Sequence, residues 1–196
     1  LISRPLKDAF NFLPGASAEP VKPSATGINI GFTQKADVTG ASTLISGARI
    51  VTMRGDEVIT NGQILIEGNR IKAIGNNLQT PANVHRIDAS GKTIIPGLVD
   101  VHWHGGMGED QIIPQTSWVN LASLSFGVTT IHDPSNDSHE ILTQAEMQKA
   151  GLVTGPRIFS TGTILYGAKA PYTATVNSLA DALTHLERQK AYGAIS

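Results

Sequence analysis

The sequence contains no cysteine. Disulfides and thiolate metal sites are therefore excluded. The compartment stays open on that ground. No excess of either charge is present: 15 basic residues stand against 16 acidic ones, with no run of like charges. Such a balance gives no electrostatic footing for a nucleic acid or a charged membrane surface. No apolar stretch approaches the roughly 18 residues of a membrane span, and no signal peptide is visible. The first residue is Leu1 rather than methionine, which raises the expectation of a piece of something longer.

What is there is ordinary globular material. The 196 residues are 40% hydrophobic with a mean hydropathy of −0.03, enough for one sizeable core or two small ones. Residues 1–42 carry Pro5, Pro14, Pro20 and Pro23 among small polar residues, as a linker or the end of an upstream domain does. Only Ile28-Asn29-Ile30-Gly31-Phe32 alternates there, and it predicts one strand. Residues 43–97 switch to short alternating runs: 48–53, 62–68, 69–75, 84–89 and 92–96. Gly68-Asn69 suits a tight hairpin, and Ser90-Gly91 is read in the same way. Short strands without a helical period predict a small all-β sandwich.

After Gly97 the pattern becomes α/β. Strands are expected at 98–103, 127–133 and 156–162. Helices are expected at 116–126, at 138–150 behind the N-cap Asp137, and at 178–192 ahead of Gly193. A further strand begins at Gly193-Ala194-Ile195-Ser196. One βα unit per interval favours parallel pairing. Residues 98–196 thus predict the first three to four units of a truncated TIM-like barrel, whose complete form needs about 250 residues.

Asp100-Val101-His102-Trp103-His104-Gly105-Gly106 closes the first of these strands. Alternation puts Asp100, His102 and His104 on one face, and Val99, Val101 and Trp103 on the other, suited to burial under helices. The polar face ends at the strand's carboxyl terminus, where parallel α/β folds build sites. Two neutral imidazoles there can reach one divalent ion at roughly 2.0–2.1 Å. An H-x-H triplet alone is also compatible with packing; its place after Pro96-Gly97 and an apolar strand is what favours a metal.

Residues 94–104, IIPGLVDVHWH, resemble the first barrel strand of the amidohydrolase superfamily, an apolar strand and Pro-Gly followed by Asp-x-His-x-His. The runs ISGARIVTM, ILIEGNRIKAIG and IDASGKTIIPG are similar to the amino-terminal sandwich of its composite-domain members, and GVTTIHD to their second strand. GFTQKADVTG (31–40) and STGTILYGA (160–168) suggest the imidazolonepropionase-like branch, including members fused to a TolB-type β-propeller. The resemblance implies a hydrolase that acts on non-peptide, including cyclic amide, carbon–nitrogen bonds of a small molecule through metal-activated water, with one or two ions, usually zinc. It also suggests an upstream propeller and an oligomer as one option; an exported or periplasmic location fits the branch, and a cytoplasmic one stays open.

His102 and His104 carry over as metal ligands. The later ligands and the catalytic aspartate of the family have no counterpart up to Ser196, so no residue of this stretch is assigned as catalytic, and the stretch alone is expected to be inactive. Lys169 and Lys190 fall in a loop and a helix and do not substitute. Asp100, His132, Asp133 and Tyr166 are candidates for substrate or supporting contacts, each also readable as local packing. Two alternatives remain: a non-catalytic binding module with structural histidines, and a cyclic-amidase or deaminase relative. Many relatives of the second kind carry an arginine shortly after H-x-H that pairs with a substrate carboxylate; residues 105–110 contain none.

Overall fold

The computed structural model describes residues 1–196 apart from 20, 34, 37–39, 111, 167, 169–173 and 196. Contacts divide the chain into Leu1–Lys35 and Ala36–Ser196. In the first unit a single 3₁₀ turn spans Leu6–Asp8. The Leu1 amine donates to the Ile28 carbonyl at 2.7 Å, and the Ile28 amide returns a bond to Leu1 at 2.8 Å. The strand expected at 28–32 does not form. Asn29 explains why: its side-chain oxygen accepts from the Gly31 amide at 2.8 Å, a local bond that competes with a ladder.

The second unit opens with β1 (Ser42–Val51), β2 (Val58–Glu67) and β3 (Arg70–Gly75), an antiparallel meander. Gly68, at φ 61°, makes the β2–β3 turn as expected. β4 (His85–Asp88) and β5 (Thr93–Ile94) behave differently from the hairpin read at Ser90-Gly91. Both pair in parallel with β1, at residues 43–46 and 49–50. Between them the chain skirts a bulge at Gly47, whose φ is 85° and where a Cβ would lie 2.5 Å from the Ser90 hydroxyl. Asp88 takes the Ser90 amide and hydroxyl at 2.9 and 2.6 Å, which holds its carboxyl below the usual range. That side-chain turn replaces the hairpin.

These strands make one five-stranded sheet. A second sheet packed across it, which a sandwich requires, is not among the described residues. Ala48, Ile50, Ile64 and Ala89 bury one cluster on the sheet, flanked by Ile45, Ile59, Ile66 and Ile94.

β6 (Leu98–Asp100), β7 (Val128–Asp133) and β8 (Arg157–Ser160) form a three-stranded parallel sheet in that order. α1 (Trp118–Ser125) and α2 (Ser138–Lys149) connect them. Ser117 caps α1 by accepting from the Asn120 amide, and Asp137 caps α2 by accepting from the His139 and Glu140 amides. A short parallel pair, β9 (Leu165–Tyr166) and β10 (Ala174–Thr175), precedes α3 (Leu179–Tyr192), which ends at Gly193 with φ 107°. Past it, the Ile195 amide donates to the Ser160 carbonyl at 3.3 Å, beside the end of β8. Ser196 and Lys169 lie outside the described residues.

The core of this part joins Ile131 of β7 and Ile158 of β8 to Ile141 and Ala145, one helical turn apart on α2. Met107 completes it from the loop after β6, fully buried. β6 itself is shorter than the expected 98–103. It is also the edge of its sheet, and no described helix covers it, so Val99 and Val101 are 60% and 72% exposed rather than buried. Of that face only Trp103 packs against the core.

Candidate functional site

The register sets which residues meet. Asp100 aligns with Ile131 of β7, and Asp133 with Ser160 of β8. All three strands run the same way, so their carboxyl ends and the residues just beyond them gather at one rim. β6 stops at Asp100, but one further bond, from the Trp103 amide to the His132 carbonyl at 3.0 Å, carries the chain along β7. The Trp103 indole donates to the Ser123 hydroxyl of α1 at 3.2 Å. With its backbone tied to β7 and its ring to α1, Trp103 fixes the stretch between the two histidines.

His102 and His104 are brought together. Their ring centroids are 5.0 Å apart with planes at 74°, and both residues are exposed. Imidazole nitrogen is the donor type that suits zinc and other borderline ions. The chemistry of this pair fits a divalent metal, though two ligands are half of a tetrahedral set. Among the described residues no three His, Asp or Glu side chains are grouped to hold an ion.

The other candidates occupy distinct positions. Asp100 accepts from the His102 amide at 3.0 Å and so shapes the turn that leaves β6. Asp133 is buried; its Oδ1 lies 3.2 Å from Nδ1 of His104 and accepts from the Ser135 amide at 2.9 Å. His132 sits on the opposite face of β7 from Asp133 and places Nδ1 3.3 Å from the Val101 carbonyl, a contact along the strand edge. Tyr166 is in β9, 48% exposed, and is not joined to the two histidines by any described contact.

Residues not singled out from the sequence complete the rim. Asn136 donates from Nδ2 to Oδ2 of Asp133 at 2.7 Å and to the Gly105 carbonyl at 2.8 Å. The Ser160 hydroxyl donates to the Asp133 carbonyl at 2.7 Å. Asp133-Pro134-Ser135-Asn136 is turn chemistry, which marks a loop but not its partner. Gly105 has a local reason: a Cβ there would lie 2.3 Å from the Trp103 ring. Beside the loop after His104 is an open cleft of about 630 Å³, lined by Met107, Glu109, Asp110, Ile112 and Trp118.

A mixed sheet followed by parallel βαβ units, with two histidines at the rim, is an α/β arrangement consistent with the front part of a barrel domain. Comparison with known proteins makes this particular. No family model matches the chain. It is 33% identical over 159 residues to a dihydroorotase of Halalkalibacterium halodurans, covering 79% of this chain and 34% of that protein. It is 35% identical over 65 residues to an imidazolonepropionase of Vibrio cholerae, covering 31% and 16% respectively. Among solved structures, a prolidase complexed with N-methylphosphonate-L-proline superposes with a TM-score of 0.63 at 21% identity, over 79% of this chain and 45% of that one. These similarities to curated relatives support the amidohydrolase superfamily. It spans about a third of the length of the curated dihydroorotases that it matches. No helix among the described residues is long and apolar enough to cross a membrane.

Proposed function

We propose that this chain forms the opening part of a metal-dependent hydrolase of carbon–nitrogen bonds in small molecules, cyclic amides included, with His102 and His104 as the first two metal ligands. One observation supports the reading: two exposed imidazoles, with ring centroids 5.0 Å apart, stand just past the carboxyl end of a parallel strand. Zinc, as one or two ions, is the favoured occupant; the remaining ligands and the aspartate that moves the proton come from the full-length protein's later strands. A divalent ion bound there makes water available as a nucleophile at neutral pH.

This chain's own residues have simpler tasks. His102 and His104 hold the ion as neutral donors, Asp100 shapes their turn, and Trp103 anchors it. The cleft by Glu109, Asp110 and Trp118 receives part of the substrate. Residues 43–97 serve as the composite β domain, completed by a second layer, and contribute no chemistry. Residues 1–42 lead in from an upstream propeller.

The likeness to dihydroorotases favours a second reading within the same chemistry, a cyclic amidase. The absence of arginine from residues 105–110 argues against its holding a substrate carboxylate just after the histidines.

The test is turnover by the purified full-length protein on a panel of cyclic amides and N-acyl compounds. Activity that disappears on chelation and returns with zinc is expected. Undiminished turnover after chelation, with metal shown absent, would overturn the proposal.

A further inference from the structure

Asp133 has no place in the chemistry above, yet it is the most completely enclosed charged group at the rim, its side chain 1% exposed. A buried carboxylate accepts hydrogen bonds and donates none, so each neighbour must bring a hydrogen. The Ser135 amide supplies one to Oδ1 and the Asn136 amide group one to Oδ2. The third neighbour is Nδ1 of His104, 3.2 Å from Oδ1.

We propose that Asp133 is a positioning residue for His104: it takes the Nδ1 hydrogen, fixes that tautomer and the ring plane, and leaves the Nε2 lone pair for the metal. This rests on the reading of His104 as a ligand. Only one of the two ring nitrogens of a neutral imidazole carries hydrogen, and facing an acceptor-only group decides which. The carboxylate is itself rigid. Its main-chain carbonyl accepts from the Ser160 hydroxyl at 2.7 Å and the Thr161 amide at 3.3 Å, which ties it to β8. Asn136 bridges its Oδ2 to the Gly105 carbonyl, the residue after His104, so the ring is held from its own backbone as well. Carboxylate–imidazole pairs of this type orient metal ligands and raise their basicity.

The experiment follows histidine ring nitrogens by ¹⁵N NMR in the metal-free full-length protein, and zinc affinity in the same preparations. In the wild type, His104 should show the Nδ1–H tautomer. Asp133→Ala should abolish that signature and weaken zinc binding by about 10–100-fold. Asn136→Ala, which keeps the carboxylate, should retain the tautomer. A wild-type His104 bearing its hydrogen on Nε2 overturns the inference even if Asp133→Ala does not fold. So does an Asp133→Ala variant with unchanged tautomer and affinity. If instead the wild type binds no zinc while the Nδ1–H signature depends on Asp133, the metal assignment fails and the contact stands.

Discussion

Replacing His102 and His104 together with alanine in the full-length protein is expected to leave it folded but without stoichiometric zinc. The two rings supply half of a four-coordinate set. Losing both should weaken metal binding well beyond the 10–100-fold that outer supporting groups command. Both side chains are exposed and neither belongs to a core cluster, but His104 also faces the buried Asp133, so the metal-free protein should lose about 1–3 kcal/mol while staying folded. Elemental analysis and metal-free denaturation together separate the two effects. A variant that retains its zinc contradicts the assignment, and one that loses zinc only because it unfolds fails to support it.

The second large effect is structural. Ile131→Ala is expected to cost about 2–5 kcal/mol, read as a lower midpoint in urea with the slope unchanged. Ile131 is fully buried at the centre of β7, the strand shared by β6 and β8, and packs with Ile141, Ala145, Ile158 and Met107. Removal of its outer carbons leaves a void that a strand pinned on both sides cannot close. Because β7 also carries Asp133 and receives the Trp103 amide, the same variant should loosen the rim. A loss below about 1 kcal/mol would mean that the core around α2 is less tightly packed than these contacts imply.

What could be read in advance follows from how local the signal is. Asp137 and Gly193 cap helices through bonds within a few residues, so their positions announced the helix ends. The change from short alternating runs to alternating strands and helices near Gly97 is visible because both periods are local properties.

Features set by distant partners were not visible in this way. Ser90-Gly91 resembles a hairpin turn, yet β4 and β5 each pair with β1, more than forty residues away in sequence, rather than with each other. Val99 and Val101 alternate like buried residues, but an edge strand without a covering helix leaves them in solvent. Alternation placed Asp100, His102 and His104 together, whereas β6 ends at Asp100 and the histidine rings meet through a turn. Asn136 could not be foreseen at all: its role depends on Gly105, brought close by parallel pairing.

Anomalous diffraction at the zinc edge from crystals of the full-length protein is the most direct measurement. A peak roughly 2.0–2.1 Å from one ring nitrogen of His102 and one of His104 is the expected result. Well-ordered rings with zinc bound elsewhere, or with none bound at saturating concentration, would contradict it.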